Sequence, residues 1–168
     1  MEAGQKLAQK LKAYANHQDV LVLGLPRGGV PVAFEVAQAL NVSLDVFLVR
    51  KLGVPGREEF AMGALASDGV RILNQEVIEG LHISFEAIAR TAAQAQRELE
   101  RREYLYRGER PSLDLRDRTV ILVDDGLATG ATMHAAAITI RKQQPKQIIA
   151  TVPVSAFGLW TKSKRIRD

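Results

Sequence analysis

The chain contains no cysteine, one tryptophan, three scattered histidines, and no apolar run near the length of a membrane span. Without cysteine there is no disulfide framework, thiolate nucleophile or thiolate zinc site, and three scattered histidines do not predict a histidine-rich metal site. A spanning helix needs roughly 20 apolar residues in succession. The first ten residues have no apolar core of the signal-peptide type. We therefore expect a cytoplasmic protein with no membrane partner.

The remaining composition is that of an ordinary globular protein. The 168 residues suit one domain, and 46% of them are hydrophobic against 25% charged. The net charge of +4 suggests a nucleic-acid partner, but the last eight residues alone carry +3. The other 160 residues therefore carry only +1, too little for the basic stripe of a phosphate-backbone binder. We expect no nucleic-acid partner.

Apolar strands alternate with helices along most of the chain. Nearly continuous apolar runs, typical of strands buried on both faces, occupy residues 19–25, 44–50, 119–125 and 147–154. Helical spacing of apolar residues covers 2–14, 30–40, 85–106 and the segment after Gly130. The alternation predicts an α/β fold, a Rossmann-like parallel sheet flanked by helices. Ligands of such sheets bind beyond the carboxyl ends of the strands.

Residues 51–74 depart from that alternation and predict a small hairpin and loop insertion. Two glycines and a proline favour a mobile loop at 51–59, and residues 53–59 are our candidate for a closing loop over the site. The Asp68-Gly69 pair lies between two apolar runs and predicts a hairpin.

The strongest chemical signal is VDDGLATGAT at residues 123–132. A buried strand ends in Asp124 and Asp125, and a loop rich in glycine and threonine then opens a helix. Gly126 and Gly130 expose backbone N–H groups, which form an anion cradle with the threonine hydroxyls and the helix N-terminus. The two acids are placed to accept hydrogen bonds from sugar hydroxyls or to approach magnesium. The pattern predicts a site for a phosphorylated sugar.

Two other glycine motifs do not explain this loop. A P-loop needs a lysine directly after its last glycine, and none follows Gly130. A dinucleotide-binding fingerprint needs three glycines in register, whereas Gly126 and Gly130 have no third partner. Both motifs are therefore excluded on spacing.

Three segments together resemble a known family. VILVDDGLATGAT is similar to the 5-phosphoribosyl-1-pyrophosphate (PRPP) signature of type I phosphoribosyltransferases, and PRGGVPVA, from Pro26, resembles that family's pyrophosphate loop. RKLGVPG, from Arg50, resembles the arginine–lysine segment and flexible loop of adenine phosphoribosyltransferase-like members. Their order most resembles a bacterial group of predicted phosphoribosyltransferases with no assigned acceptor. The resemblance implies a phosphoribosyltransferase domain at 1–154, and a basic tail at 155–168 that is truncated or altered relative to the family pattern.

The resemblance also implies a role for each motif. The 5-phosphate would be bound by Gly126, Ala128, Thr129, Gly130, Ala131 and Thr132. Asp124 and Asp125 would be the catalytic pair, holding the ribose hydroxyls and steadying the positive charge that develops on the ring. Pyrophosphate would be bound by Arg27, Gly28, Gly29, Arg50 and Lys51, with a strained peptide at the first of these loops. Magnesium would be the cofactor, bound mainly through PRPP and also through Asp124.

The resulting hypothesis is a glycosyltransferase of the pentosyltransferase class. It would move the 5-phosphoribosyl group from PRPP to a nitrogenous base or related acceptor and release pyrophosphate. Glu58 and Glu59 are candidates for a general base, although carboxylates on surface loops are common. The alternative is a non-catalytic module of the same fold that senses PRPP or nucleotides. Retention of Arg27, Arg50 and Lys51 favours the enzyme, and we expect a homodimer on general grounds.

Overall fold

The computed structural model describes residues 2–126 and 130–153 and the backbone of residues 164 and 165. The helices in this part are α1 (Glu2–Lys10), α2 (Gly29–Leu40), α3 (Gln75–Gly80), α4 (Phe85–Arg107) and α5 (Ala131–Arg141), with a 3-10 turn at Lys12–Tyr14. The strands are β1 (Val20–Gly24), β2 (Ser43–Val46), β3 (Val49–Val54), β4 (Arg57–Ala66), β5 (Arg71–Leu73), β6 (Thr119–Val123), β7 (Gln147–Thr151) and β8 (Lys164–Arg165).

The main sheet has the order β2-β1-β6-β7-β8 among the described strands. Its first four strands are parallel, and β8 adds antiparallel to β7. Every residue of β1 and β6 is buried, which explains their uninterrupted apolar sequences. Gly24 pairs with Val123, so the two central strands end at the same level of the sheet. The α/β fold with a parallel sheet flanked by helices is confirmed.

Side chains alternate between the two faces of this sheet and build two separate cores. Val22 and Ile121 face α1 and α2, where they meet Leu7, Val36 and Leu40. The neighbouring side chains of the same strands face the opposite way. That second core contains Leu23, Leu122, Met133, Ala136 and Ile140. Burying a leucine or isoleucine side chain contributes about 1.5–3 kcal/mol, so both helix layers hold the central strands firmly.

The second sheet, β3-β4-β5, is antiparallel, and it corrects one sequence prediction. The hairpin predicted at Asp68-Gly69 connects β4 to β5, with Gly69 at a φ of 85°. The mobile loop predicted at 51–59 is wrong, because β3 and β4 continue through it and reverse at Pro55-Gly56. There Gly56 takes a φ of 78°, and the register shifts at Gly53. The two glycines thus serve a tight turn and an irregular pairing rather than a long loop.

The single buried strand predicted at 44–50 is also wrong. β2 ends at Val46 on the edge of the main sheet, and β3 begins at Val49 in the second sheet. Phe47 and Leu48 are both almost completely buried, but in different clusters. Phe47 packs in the main core, and Leu48 packs under the second sheet against α4. A short apolar run therefore supplies two cores, which periodicity alone does not reveal.

Helices α3 and α4 cover the outer face of the second sheet. The Asn74 side chain accepts a hydrogen bond from the Val77 N–H (3.3 Å), and Ser84 accepts one from the Ala87 N–H (3.1 Å). Such caps satisfy N–H groups that the first helical turn leaves without partners. α4 then packs through Ile88, Ala95 and Leu99. None of the helices in the described ranges is long and apolar enough to cross a membrane.

Candidate functional site

The two predicted ligand loops meet at the carboxyl edge of the main sheet. A Cβ atom at Gly28 would overlap the carboxyl group of Asp125. A Cβ atom at Gly29 would lie 2.6 Å from the carbonyl oxygen of Val123 and 2.9 Å from the Asp124 α-carbon. The PRGG loop and the acid pair are therefore in direct contact, and a side chain at either glycine would require the Asp125 carboxyl or the neighbouring backbone to shift.

Backbone hydrogen bonds fix the PRGG loop in that place. The Leu25 N–H donates to the Val123 carbonyl (2.9 Å), which extends the pairing of β1 and β6 one residue past Gly24. The Gly29 N–H then donates to the Leu25 carbonyl (3.0 Å) and closes the turn into α2. The peptide bond between Pro26 and Arg27 is cis. The Arg27 side chain is exposed and makes no hydrogen bond or ion pair with any described residue, so it is available to a ligand.

The two acids of the site differ in environment. Asp124 is half-buried, its N–H donates to the Thr151 carbonyl (3.3 Å), and its Oδ1 accepts from the Asp125 N–H (2.8 Å). Burial, followed by the neighbouring Asp125 carboxyl, raises the pKa of Asp124 from 3.8 to about 6. Asp125 is exposed. The pair thus presents an exposed carboxyl beside a carboxyl that titrates close to neutral pH.

The predicted phosphate cradle is described only in part. Leu127, Ala128 and Thr129 lie outside the described residues, so the roles predicted for Ala128 and Thr129 stay predictions. Gly126 lies directly after the acid pair, and Gly130 has a φ of 76° just before α5 begins. Thr132 is exposed in the first turn of that helix. The partial positive charge of a helix N-terminus and an exposed hydroxyl are suited to an anion at this position.

Comparison with known proteins shows the family. The model of the phosphoribosyl transferase domain matches residues 1–165. The chain belongs to this family. The resemblance drawn from the three sequence segments is therefore confirmed.

Two relatives of this phosphoribosyl transferase domain share more than 40% of its sequence. A Mycobacterium tuberculosis protein named "Putative phosphoribosyl transferase Rv0571c" is 46% identical over 153 residues, which cover 91% of this chain and 34% of that protein. The chain thus spans about a third of the length of the curated relatives it matches. The crystal structure of TT1426 from Thermus thermophilus is 42% identical, with a TM-score of 0.81 over 91% of this chain and 72% of that one.

A more distant structure shares the fold. The purine phosphoribosyltransferase from Pyrococcus horikoshii has a TM-score of 0.52 at 20% identity, covering 90% of this chain and 69% of that one. The phosphoribosyl transferase domain described here therefore has the sheet and helix arrangement of that structure.

Arg50 and Lys51 of this phosphoribosyl transferase domain lie on opposite faces of the second sheet. Adjacent residues of a strand alternate in direction, and Arg50 shares its face with Leu48 and Leu52, which pack in the cluster beside α4. Lys51 pairs with Ala64 of β4 and lines a cavity against α5. The structure therefore does not bring Arg50 to the α5 side with Lys51, because one step along the strand reverses the side chain.

Two cavities flank the second sheet of the phosphoribosyl transferase domain. The one towards α5 has a volume of about 490 Å³, and its lining includes Lys51 and the exposed His134. The other lies between the β3–β4 hairpin and α4, has a volume of about 460 Å³, and is lined in part by Arg50, Glu58 and Arg90. Lys51 borders both. Sequence analysis did not single out Arg90 as a cavity residue, because it is one of many charged residues on α4.

Proposed function

We propose that the chain transfers the 5-phosphoribosyl group from PRPP to a nitrogenous base or related acceptor and releases pyrophosphate. The contact between the PRGG loop and the Asp124–Asp125 pair carries this proposal. It supports a pyrophosphate site and a ribose site side by side, and the start of α5 follows within a few residues. A PRPP molecule needs these three sites in the same order along its length.

Each part of PRPP has residues assigned to it in this proposal. The 5-phosphate is bound by Gly126, Ala128, Thr129, Gly130, Ala131 and Thr132. The ribose hydroxyls are bound by the catalytic pair, Asp124 and Asp125. Pyrophosphate is bound by the backbone of Gly28 and Gly29 and by the cationic side chains of Arg27 and Lys51. The same role is proposed for Arg50, which lies beside Lys51 on β3 and lines a cavity together with it.

The reaction breaks the bond between ribose C1 and the pyrophosphate oxygen, which leaves with the electron pair. The acceptor nitrogen attacks C1 from the opposite face, and no covalent enzyme nucleophile is needed. Positive charge develops on the ribose ring in the transition state, and the two carboxylates stabilise it at short range.

A magnesium ion is part of the proposal, and the donor groups present suit it. Mg²⁺ is usually held by one or two carboxylates together with substrate phosphates. Residues 2–126 and 130–153 contain no cluster of three or more acids and histidines that would hold a metal alone. Asp124 and the oxygens of PRPP would therefore hold the ion. Its chemistry, when bound, is to neutralise the leaving pyrophosphate.

The direct test is calorimetry with PRPP and Mg²⁺, followed by an assay of pyrophosphate release with a panel of purines, pyrimidines and amines. We expect binding in wild type and at least about tenfold weaker binding in Asp125→Asn, because charged hydrogen bonds contribute about 1.5–3 kcal/mol. Asp117→Asn is the matched control, since it makes the same change at an exposed residue just before β6, at the opposite edge of the sheet.

Each result of this test has a distinct meaning. No PRPP binding by folded protein would refute the proposal. Binding without pyrophosphate release for any acceptor would instead favour the non-catalytic sensor. The homodimer and the cytoplasmic location belong to the same proposal, and sedimentation of the purified protein tests the first of them.

A further inference from the structure

We propose that Gln143 is a positioning residue for PRPP binding. Its side chain fixes the root of the second sheet to the end of α5 and thereby sets the position of β3, the strand that carries Arg50 and Lys51. The inference rests on the proposed function and adds to it a residue that touches no ligand. Gln143 is half-buried and lies two residues beyond the end of α5 at Arg141.

The side-chain amide of Gln143 uses both of its polar ends. Its Nε2 donates to Asp68 Oδ2 in the turn between β4 and β5, and its Oε1 accepts from the Leu115 N–H (3.1 Å). The other carboxylate oxygen of Asp68 accepts from the Val70 N–H (3.0 Å), which holds the turn itself. Hydrogen bonds to a charged group are stronger than neutral ones. One side chain therefore joins three segments that are distant in the chain.

Each of these three segments leads to a different part of the proposed site. α5 begins directly after Gly130, where the 5-phosphate is proposed to bind, and its 11 residues separate its two ends by about 16 Å. Leu115 lies four residues before β6, which ends at the acid pair. The turn at Asp68 follows β4, the strand that pairs with β3. The contacts of Gln143 thus fix these parts relative to one another from the far end of α5.

Apolar packing attaches the root of the second sheet to the main core independently of Gln143. Ala66 is a buried member of that core together with Leu115, and Val70 packs against it. Apolar contacts have no preferred direction, whereas hydrogen bonds have a defined geometry. We therefore expect packing to keep the sheet attached and the contacts of Gln143 to fix its angle.

A small change of that angle is large enough to matter at β3. Lys51 pairs with Ala64, which is four residues from Asp68 and thus at most about 13 Å from it along the chain. A tilt of about 5° at the root would move β3 by about 1 Å at this point, and a misplacement of this size can lower activity about a hundredfold. Loss of the contact with Asp68 is therefore expected to weaken PRPP binding without unfolding the chain.

The test exchanges donor and acceptor between the two side chains. Gln143→Glu keeps an oxygen for the Leu115 N–H but places a second carboxylate against that of Asp68, and like charges in contact repel. Adding Asp68→Asn to this variant restores the contact in the opposite sense. The new amide donates its N–H to the carboxylate at position 143, and its oxygen still accepts from the Val70 N–H.

The measurement is calorimetric titration with PRPP and Mg²⁺, with urea denaturation to verify that each variant is folded. We expect Gln143→Glu to lower PRPP affinity at least about fivefold, and the double variant with Asp68→Asn to bind within about twofold of wild type. Gln144→Glu is the matched control, since it makes the same change of charge at the adjacent exposed residue. It should also bind within about twofold of wild type.

A second comparison separates positioning from a general loss of stability. In a chain that carries both Arg50→Gln and Lys51→Gln, the further change Gln143→Glu should lower the remaining PRPP affinity less than about twofold, because β3 then has no cation to misplace. A loss as large in this background as in wild type would show that Gln143 does not act through β3. That result would overturn the inference.

The other outcomes distinguish this inference from the proposed function. Wild-type PRPP affinity in Gln143→Glu would overturn the inference and leave the proposed function intact. The same holds if the double variant with Asp68→Asn binds no better than Gln143→Glu alone. Absence of PRPP binding by folded wild type would instead refute the proposed function, and this inference with it.

Discussion

The carboxyl group of Asp125 lies directly against the α-carbon of Gly28, where any side chain would overlap it. These residues follow different strands and are 97 positions apart in the chain. They meet because β1 and β6 are parallel neighbours that end at the same level. The parallel pairing therefore converts two distant motifs into one continuous surface.

Replacing Gly28 by alanine tests whether that contact is needed for binding. The added methyl group displaces the Asp125 carboxyl or the PRGG loop, and overpacking of this kind costs about 1–3 kcal/mol of stability. We expect Gly28→Ala to lower PRPP affinity at least about tenfold, since an ångström-scale misplacement of a positioned group has effects of this size or larger. Calorimetry measures the binding, and urea denaturation measures the stability.

The control for this substitution is Gly80→Ala. Gly80 is the last residue of α3, and a Cβ atom there would meet nothing within 4 Å. This variant should bind PRPP as wild type does. If Gly28→Ala also bound PRPP with wild-type affinity, the contact with Asp125 would not be part of the binding site.

Asp124→Asn tests the cost of ionising a half-buried carboxyl. The pKa of Asp124 rises to about 6 in the fold from an ordinary 3.8, so between these values the folded protein keeps a proton that the unfolded chain releases. Wild type therefore loses stability as the pH rises from about 4 to about 7. Asparagine does not ionise and keeps an oxygen to accept the Asp125 N–H. A shift of this size corresponds to about 3 kcal/mol. Because solvent screens the half-buried carboxyl, we expect the variant to gain only on the order of 1–2 kcal/mol relative to wild type over this interval.

The measurement is urea denaturation of both proteins at pH 4 and pH 8 in the presence of EDTA. The free energy of unfolding of wild type should fall relative to that of Asp124→Asn at the higher pH. A difference that stays constant between the two pH values would contradict the raised pKa.

The central strands and the acid pair were predictable because their signals are local. β1 and β6 are buried on both faces, so their sequences are apolar without interruption. Asp124 is the first residue after β6, at the point where burial becomes partial. Gly130, just before α5, takes a φ of 76°, a conformation that favours glycine. Each of these features is set within about ten residues of chain, which is the range over which sequence patterns predict structure.

The features that escaped prediction depend on distant partners. The side of the sheet that Arg50 faces is set by Leu48 and Leu52, which pack against α4 some 40 residues later. The apolar run around Phe47 and Leu48 has the pattern of one strand, because residues buried in either core are apolar and the pattern does not distinguish the two cores. The contact of Asp45 with Arg107 spans 62 positions and has no local pattern.

Thr132→Val tests the role proposed for the start of α5. Thr132 is exposed in the first helical turn, so valine removes its hydroxyl and leaves the packing of the helix unchanged. We expect PRPP affinity to fall about fivefold to tenfold, because a neutral hydrogen bond contributes about 0.5–1.5 kcal/mol. Stability should change by less than about 0.5 kcal/mol.

Thr91→Val provides the comparison for this hydroxyl. Thr91 lies on α4, on the other side of the second sheet. We therefore expect Thr91→Val to leave PRPP affinity unchanged. Equal PRPP affinity in Thr132→Val and wild type would remove this hydroxyl from the proposed phosphate site.

Arg107→Met tests the ion pair that joins the end of α4 to the edge of the main sheet. The buried guanidinium donates to both Asp45 oxygens (2.9 and 3.3 Å), to Glu103 (3.0 Å) and to the Pro111 carbonyl (2.7 Å). Removing it leaves Asp45 half-buried without its main partner, a change that costs about 3–5 kcal/mol. Arg101→Met breaks an exposed pair on the same helix and should cost no more than about 1 kcal/mol. Urea denaturation measures both, and equal losses would show that burial adds nothing to the Arg107 pair.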